Sequence, residues 1–367
     1  MSDKNAELVW KEYVTRELEK VTPILKRHGY RLEDVQPHIG GERYLMQAVT
    51  TESGRKLILL GRGSDNRRVL IKATSDNGGI HELDRERMGR ELLKKINFAY
   101  HTFLSPEEVA YLKEEGFVIL ITAFIEQERT FLERPLQEQF GLALSAFKAQ
   151  ESAHATTSTH LKAIQGVFET LRVNDYLKKF GEFRKNTLSR QKNPSLRRTL
   201  NDAELALVRG AATIAQYEGF LTHVDFVPHN IRIVGRDIYL LDHSSLRFGN
   251  KYEGWARFLN FMMLYNPPLE EAFTRYVRDN RTPEELESLK LMRMYRLGEI
   301  IYYYTRALEK SSGNLHTLNE KRVTFWGFAL EAVLKNAPLR PEVIAAYQKV
   351  RDELRSPEER ERQKGLH

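Results

Sequence analysis

Residues 221–242 constrain this chain of 367 residues more than any other stretch. They read LTHVDFVPHNIRIVGRDIYLLD, with Asn230 five residues after Asp225 and Asp242 twelve residues after Asn230. Two short runs rich in β-branched and apolar residues lie between Asn230 and Asp242, separated by Gly-Arg-Asp at 235–237. This pattern predicts a β-hairpin. The hairpin would hold Asn230 and Asp242 at its two open ends, close together in space.

The two carboxylates and the amide suit a metal-dependent transfer of a phosphoryl group. Such a transfer needs little covalent chemistry from the protein, so the requirement is for positioned acidic and amide groups around metal-bound phosphates. Asp225 is expected to be the catalytic base that accepts or orients the proton of an acceptor hydroxyl. Asn230, in the same catalytic loop, and Asp242 carry the hard oxygen ligands that Mg²⁺ prefers.

At these residues the chain resembles the aminoglycoside phosphotransferase and choline kinase-like family of the protein-kinase-like superfamily. That family has His-Gly-Asp, four residues, Asn, and then an apolar strand ending in Asp, and this chain has His223-Val224-Asp225 at the start of the same pattern. The resemblance implies an α+β, two-lobed protein-kinase-like fold, with a small β-rich N-lobe and a large, mainly helical C-lobe. It also implies a phosphotransferase that uses ATP and Mg²⁺ and moves the γ-phosphate to a hydroxyl of a small metabolite.

Three residues depart from the family pattern. Asn250 and Gly254 stand where the family usually has Asp, and Val224 replaces a Gly. Gly254 removes a carboxylate that normally braces the catalytic loop. An alternative function therefore stays open, a nucleotide-binding pseudokinase or scaffold.

A kinase-like site also needs a lysine on an N-lobe strand to hold the α and β phosphates, and a helical glutamate to hold that lysine. The run RVLIKAT at 68–74 supplies Lys72. The following segment has helical periodicity and offers two candidate partners. Glu91 is preferred, with Glu86 second, because Arg90-Glu91 followed by two leucines resembles the family's Arg-Glu and apolar ridge.

The loop that covers the phosphates has two competing positions, since the chain contains no Gly-x-Gly-x-x-Gly. Gly40 and Gly41, within 39–43, could offer backbone N–H groups to phosphate, and so could residues 51–55. Each of these two segments is also compatible with a simple hairpin turn. The second position requires the first three strands at 44–50, 56–61 and 68–74.

Start and stop signals divide the chain into segments. The sequence Ser-Pro-Glu-Glu at 105–108 is a capping box and predicts a helix that ends at Gly116. The long helix that begins at Pro283 and the charged tail show helical patterns as well. The predicted organisation is a helical extension at 1–29, an N-lobe at 30–127, a C-lobe at 128–340 and a helical tail at 341–367.

Composition narrows the setting. The chain has no cysteine, so disulfides and thiolate metal sites are excluded. The first ten residues lack an apolar core of signal-peptide length, and the longest apolar run, 117–125, is too short to span a bilayer. A cytoplasmic protein with no membrane partner is expected.

Charge bears on the acceptor. Residues 178–198 contain eight Lys or Arg and one Glu, within a chain of net charge +7. Recognition of a polycationic drug would favour carboxylates, whereas this segment suits a phosphorylated or acidic acceptor, or a polyanionic or acidic partner. A kinase acting on a protein or RNA is therefore a further alternative. The run Tyr302-Tyr303-Tyr304 is expected to pack mainly in the core, with at most one or two rings in a pocket.

Overall fold

The computed structural model describes residues 3–36, 39, 42, 46, 54–95, 104–152 and 158–363. Its first part is built on a five-stranded antiparallel sheet, and its second part is mainly helical with two small two-stranded sheets. The predicted α+β architecture of two lobes is confirmed.

The N-lobe elements are α1 (Asp3–Arg27), β1 (Arg31–Leu32), β2 (Leu57–Arg62), β3 (Arg68–Thr74), α2 (Asn77–Lys95), β4 (Glu108–Glu114) and β5 (Phe117–Ala123). The sheet has the strand order β1-β2-β3-β5-β4 and is covered by a helix on each face. Alternate side chains of β5 point to opposite faces. Ile119 and Ile121 pack with α1, while Val118 and Leu120 pack with Leu83 of α2.

The prediction of a helix that starts at 105–108 is wrong. The segment forms β4, which pairs with β5 from Glu108 to Glu114. Glu115 and Gly116 both have positive φ, 51° and 80°, as a two-residue hairpin turn requires. The alternation of EVAYLKE sends Ala110 and Leu112 to the α1 face of the sheet. Pairing and burial of these residues outweigh the local capping signal, which is a weak preference by comparison.

Two of the three strands required by the second phosphate-loop position are present. β2 and β3 correspond to the segments 56–61 and 68–74 and pair in antiparallel register, with Ile58 opposite Lys72. The remaining segment, 44–50, lies outside the described residues apart from Met46. Met46 packs against Ala307 of the second lobe.

The C-lobe is assembled around one large apolar cluster that includes Phe147, Trp255, Phe258 and Tyr295. Phe147 stacks on Trp255 with a ring separation of 4.1 Å. Its elements are α3 (Leu136–Ser152), α4 (Ser158–Gln165), α5 (Val173–Arg190), α6 (Pro194–Arg209), α7 (Ala211–Gln216), β6 (Phe220–His223), β7 (Ile231–Val234), β8 (Asp237–Leu240), β9 (Leu246–Gly249), α8 (Glu253–Tyr265), α9 (Pro267–Asn280), α10 (Pro283–Leu308), α11 (Gly313–Leu334), α12 (Pro341–Leu354) and α13 (Pro357–Gln363).

The helices that end the chain pack onto the C-lobe. Tyr347 of α12 stacks on Phe325 of α11 with a ring separation of 4.4 Å. Ile344 joins the same apolar cluster. Among the described helices, none has both the length and the apolar character that a bilayer crossing requires.

Candidate active site

Residues 224–230, the predicted catalytic loop, connect β6 to the hairpin of β7 and β8. Gly235, with φ of 60°, turns the hairpin, as predicted. The backbone N–H of Leu241 donates to the carbonyl of Asn230 at 2.8 Å. This bond closes the open end of the hairpin, so Asn230 and Asp242 lie side by side as the sequence indicates.

Asp225 is held from two directions. Arg257, on α8, donates to its Oδ1 at 3.0 Å through Nε, and its Nη2 lies 2.9 Å from the same oxygen. The Asn230 amide donates to Asp225 Oδ2 at 3.0 Å and to its backbone carbonyl at 2.8 Å. Burial opposes ionisation, but Arg257, followed by His229 and His223, outweighs it and holds the pKa of Asp225 below its ordinary value. Asp225 is therefore an oriented carboxylate at neutral pH.

Asp242 occupies an unusual backbone position at the end of the hairpin. Its φ of 56° is left-handed, a conformation that a non-glycine residue adopts at a cost. The hydroxyls of Ser244 and Ser245 donate to its two oxygens at 2.6 and 2.8 Å. Burial opposes ionisation, yet Lys72 and Lys56 outweigh it and keep the pKa of Asp242 below its ordinary value. The carboxylate is thus ionised and aimed by short local bonds.

Lys72 lies on the sheet face that packs against α2. Its ammonium is 2.7 and 2.8 Å from the two oxygens of Glu86. The preference for Glu91 is wrong, since Glu91 is about half exposed (47%) and is 3.4 Å from Lys94. Glu86 lies four helical positions before Arg90, on the buried side of α2, whereas Glu91 faces outward. The likeness of Arg90-Glu91 to the family pattern does not indicate which side of the helix faces the sheet.

Lys56 is a second buried lysine that sequence reasoning missed. Its ammonium pairs with Glu82, whose carboxylate also lies 3.1 Å from the Ser244 hydroxyl oxygen. Burial lowers the pKa of Lys56, but Glu82 and then Asp242 outweigh it and hold this pKa above its ordinary value. The available signal was its place directly before β2, beside the end of β3 that carries Lys72.

A cavity of about 150 Å³ lies between the lobes, and these groups surround its polar end. Its other walls include the apolar side chains Ile58 and Leu70 and the chain segment that joins β5 to the C-lobe. The lining residues are Lys56, Ile58, Leu70, Lys72, Glu86, Arg90, Pro106, Thr122, Ala123, Phe124, Ile125, His229, Asn230, Arg232, Leu241, Asp242 and His243. We call this the interlobe cavity.

A larger cavity, of about 580 Å³, opens on the other side of the catalytic loop. Asp225 and Ser245 form one end, and helices α8, α10, α11 and α12 form the walls. The lining residues are Glu42, Met46, Val224, Asp225, His229, Ser245, Arg257, Leu264, Tyr265, Arg296, Glu299, Ile300, Tyr303, Tyr304, Arg322, Trp326, Tyr347, Arg355 and Gln363. We call this the arginine-lined cavity.

Solved structures share this architecture. The crystal structure of aminoglycoside phosphotransferase APH(4)-Ia matches with a TM-score of 0.59 and 14% identity, over 88% of this chain and 98% of that one. The GDP complex of wild-type aminoglycoside 2'-phosphotransferase-IIIa matches with a TM-score of 0.59 and 12% identity, over 89% and 99%. A ternary complex of a thermostable APH(4)-Ia mutant with ADP and hygromycin B has a TM-score of 0.58 and 14% identity, over 86% and 97%.

The chain has the protein-kinase-like fold of the aminoglycoside phosphotransferases. The resemblance inferred from the catalytic loop is thereby confirmed for the fold. No protein-family model matches the chain, and no curated protein matches it either.

Gly254 stands where the sequence pattern led us to expect an aspartate, and the neighbouring residues show what supports the loop instead. A Cβ at this position would lie 2.7 Å from Gln150 Oε1 and 3.1 Å from Thr222 Oγ1, so an aspartate here would require the Gln150 side chain to move. The adjacent Glu253, fully buried, is 3.4 Å from Arg296. Arg296 in turn donates to the Val224 carbonyl of the catalytic loop at 2.7 Å. Glu253 and Arg296 thus brace the loop.

Asn250, the other departure, is a satisfied residue of the core. Its amide nitrogen donates to the Ile214 carbonyl and the Ser288 hydroxyl, each at 3.1 Å. Its amide oxygen accepts from the Tyr252 backbone at 2.9 Å. Asn250 therefore ties β9 to α7 and α10, a structural role within the kinase-like fold.

The two positions of the phosphate loop lie only partly within the described residues. Gly40 and Gly41 lie outside the described residues, but the adjacent Glu42 lines the arginine-lined cavity and pairs with Arg322 and Arg355 of the C-lobe. The backbone N–H of Glu42 also donates to Glu359 of α13 at 3.1 Å. Gly54, with φ of 95°, precedes Lys56 and β2. Residues 51–53 also lie outside the described residues, so both positions of the phosphate loop stay predictions.

The tyrosine run divides as helical geometry requires. Tyr302 stacks on Phe183 at 5.4 Å, outside both cavities. Tyr303 and Tyr304 line the arginine-lined cavity, so two of the three rings share a pocket.

The basic segment 178–198 lies away from the site. Within the described part of the chain, neither cavity is lined by any of its residues. Lys179, Arg184 and Arg190 form ion pairs with Glu169, Glu204 and Glu309 respectively. A polyanionic or acidic partner for this segment stays a prediction, and an acidic acceptor needs a different argument.

Proposed function

We propose that this protein is a Mg²⁺-dependent phosphotransferase that moves the γ-phosphate of ATP to a hydroxyl of a small molecule. The observation that carries the proposal is the placement of Asp225 and Asp242 on opposite sides of one loop, each facing its own cavity. A nucleotide in the interlobe cavity and an acceptor in the arginine-lined cavity would meet at this loop. The complexes of similar proteins with ADP and hygromycin B, and with GDP, support the binding of a nucleotide together with a second small molecule.

The interlobe cavity supplies the groups that a nucleoside triphosphate requires. Lys72, held by Glu86, and Lys56, held by Glu82, offer two ammonium groups to the phosphates. The apolar wall, with Ile58 and Leu70, suits the base. Lys56 is thus a second proposed phosphate ligand, and it lies outside the sequence pattern at 221–242.

Asn230 and Asp242 fit a magnesium ion by their chemistry. The Asn230 amide nitrogen is committed to Asp225, which leaves its amide oxygen as the ligand atom, and Asp242 adds an ionised carboxylate. Within the described residues no cluster of three or more His, Cys, Asp or Glu side chains surrounds a metal position. When bound, the ion would neutralise charge on the transferring phosphate and leave water and phosphate oxygens as its remaining ligands.

The transfer itself forms one bond and breaks one. The acceptor hydroxyl oxygen bonds to the γ-phosphorus, and the bond from that phosphorus to the β–γ bridging oxygen breaks. The bridging oxygen keeps the electron pair and leaves as part of ADP. Asp225 orients the hydroxyl and receives its proton as the new bond forms.

Thermal unfolding with nucleotides tests the proposal. The melting temperature is measured with ATP and with GTP, each with and without Mg²⁺, for the wild type and for Asp242→Asn. A ligand that binds the native state raises the melting temperature by mass action. We expect a Mg²⁺-dependent rise that Asp242→Asn loses.

A matched control is Asp352→Asn on α12, since this carboxylate is about half exposed (47%) and pairs with its neighbour Arg351 on the surface. The control should keep the Mg²⁺-dependent rise. Absence of any shift at millimolar nucleotide for the wild type would overturn the proposal. Binding without formation of ADP across a broad set of hydroxyl acceptors would instead support the pseudokinase alternative.

A further inference from the structure

Every carboxylate of the arginine-lined cavity, among the described residues, is already engaged by an arginine. An ammonium group of an acceptor would have to break one of these pairs to find a partner. An ammonium group would separate an arginine from its carboxylate without offering that arginine a new acceptor, whereas an anionic group would offer it one. The pairs are Asp225 with Arg257, Glu299 with Arg296, and Glu42 with both Arg322 and Arg355.

The same cavity has donors in excess of acceptors. Arg322 and Arg355 share the single carboxylate of Glu42, and each guanidinium side chain is only 6% exposed. Arg296 Nε is buried without an acceptor. Buried cationic groups and unmet donors cost free energy unless an anion or an acceptor compensates them. The balance of charge in the lining therefore favours an anionic guest.

Aromatic side chains form the rest of the wall. Tyr265, Tyr303, Tyr304, Trp326 and Tyr347 all line the cavity. Flat rings of this kind pack against the faces of sugars and other ring compounds, and their hydroxyl and N–H groups bond to polar substituents. A cavity of about 580 Å³ has room for a ring with its substituents.

We propose, on the basis of the phosphotransferase function above, that the acceptor is a hydroxylated ring compound that carries a phosphate or carboxylate group. Arg257 and Arg296, both beside the catalytic loop, bind that anionic group. Arg257 then exchanges its bond to Asp225 Oδ1 for a bond to the acceptor, and the freed oxygen takes the acceptor hydroxyl. Asp225 is thus released for its catalytic role by the group that identifies the correct acceptor.

Matched compounds test the inference. Glucose, glucose 6-phosphate, glucuronate and glucosamine share a pyranose ring and differ in charge, and ribose with ribose 5-phosphate forms a second set. Binding is measured as the rise in melting temperature over that given by Mg²⁺ and ADP, and turnover as ADP formed from Mg²⁺ and ATP. We expect an anionic member to be favoured over its neutral partner by at least about tenfold in kcat/KM or affinity. The phosphate and carboxylate compounds distinguish the two sources of charge.

Variants locate the effect in the cavity. Arg257→Gln should raise KM for the anionic acceptor by about tenfold or more and abolish the preference for charge, and Arg257→Lys should recover part of it. Arg275→Gln is the control, because this arginine is exposed (63%) and pairs with Glu271 on the surface. The Mg²⁺-dependent nucleotide shift, measured on the same samples, reports whether each variant is folded.

Three results separate the inference from the proposed function. Equal or better use of the neutral or amino compounds overturns the inference and leaves the phosphotransferase intact. Nucleotide binding with no anionic compound bound or phosphorylated in either set also overturns it. Failure of the wild type to bind nucleotide overturns the proposed function, and the inference falls with it.

Discussion

The two cavities on either side of the catalytic loop are built on different principles. The interlobe cavity pairs lysines with glutamates of one helix, since Glu82 and Glu86 both belong to α2. The arginine-lined cavity is formed by arginines and tyrosines of the C-lobe helices. Glu42, from the N-terminal part of the chain, completes its lining. Phosphates of a nucleotide are common to all reactions of this type, whereas acceptors differ. We therefore expect the first cavity to follow the fold and the second to decide which acceptor is used.

The largest expected effect lies on the loop that the cavities share. Asp225→Asn keeps the shape of the side chain and removes the group that receives the proton. The rate of ADP formation with acceptor should fall by about 10²- to 10⁴-fold, the usual contribution of a general base. The Mg²⁺-dependent nucleotide shift should persist, because Asp225 lines only the acceptor side. A parallel loss of nucleotide binding would show that the two cavities are not separable in function.

The second prediction concerns the glutamate that holds Lys72. Glu86→Gln leaves the Lys72 ammonium, 11% exposed, without its carboxylate, and such a loss costs about 3 kcal/mol of stability. Glu91→Gln is the matched control on the same helix and should change stability by less than about 0.5 kcal/mol. Denaturant unfolding and the nucleotide shift measure both effects. Equal effects of the two substitutions would contradict the pairing.

The third prediction concerns the pH dependence of stability that Glu42 of the arginine-lined cavity contributes. Burial raises the pKa of Glu42, but Arg322 and Arg355 outweigh it and lower the pKa from 4.5 to about 2. A carboxylate with a depressed pKa contributes stability above its unfolded pKa, and this contribution is lost as pH falls toward the folded value.

Between pH 6 and pH 3 the share due to Glu42 is roughly 2 kcal/mol. Glu42→Gln should therefore lose less stability than the wild type over this interval, although it starts lower. Chemical unfolding at both pH values measures the difference. Identical pH dependence of the two proteins would remove Glu42 from the account of the cavity.

The smallest effect is expected for Lys56. Lys56→Met should weaken binding of Mg²⁺ and ATP by roughly tenfold, the loss of one charge-assisted bond to phosphate. Lys349→Met, an exposed position on α12 with 78% of its side chain accessible, should not change it. Binding of AMP, which lacks the outer phosphates, should be less affected by Lys56→Met. An equal loss for AMP and ATP would indicate that Lys56 acts through the structure of the lobe.

Residues close in sequence were the ones that sequence reasoning placed well. The hairpin that joins Asn230 to Asp242 depends on two apolar strands and a turn within 221–242, and its geometry follows from local chemistry. The strand carrying Lys72 was recognised for the same reason. The helix expected at 105–116 was not found, because pairing with β5 decided the conformation of a segment with mixed local signals.

Glu86 marks the limit of pattern matching. Its selection over Glu91 depends on the rotational phase of α2 against the sheet, and that phase follows from how Leu83 packs on Val118 and Leu120. The contact between Glu42 and Arg355 joins residues that are 313 positions apart in the chain. No local pattern links residues that far apart.

From the sequence alone, the resemblance of residues 221–242 to a known family indicated the kinase-like fold, and strand periodicity placed Asn230 beside Asp242 at the end of one hairpin. Tertiary structure alone decided the partner of Lys72, the position of Lys56 beside Glu82 and the lining of the arginine-lined cavity. The physical reason is the same in each case. Side chains from separate helices and loops become neighbours only when the core has formed, and their charges are balanced against each other only there.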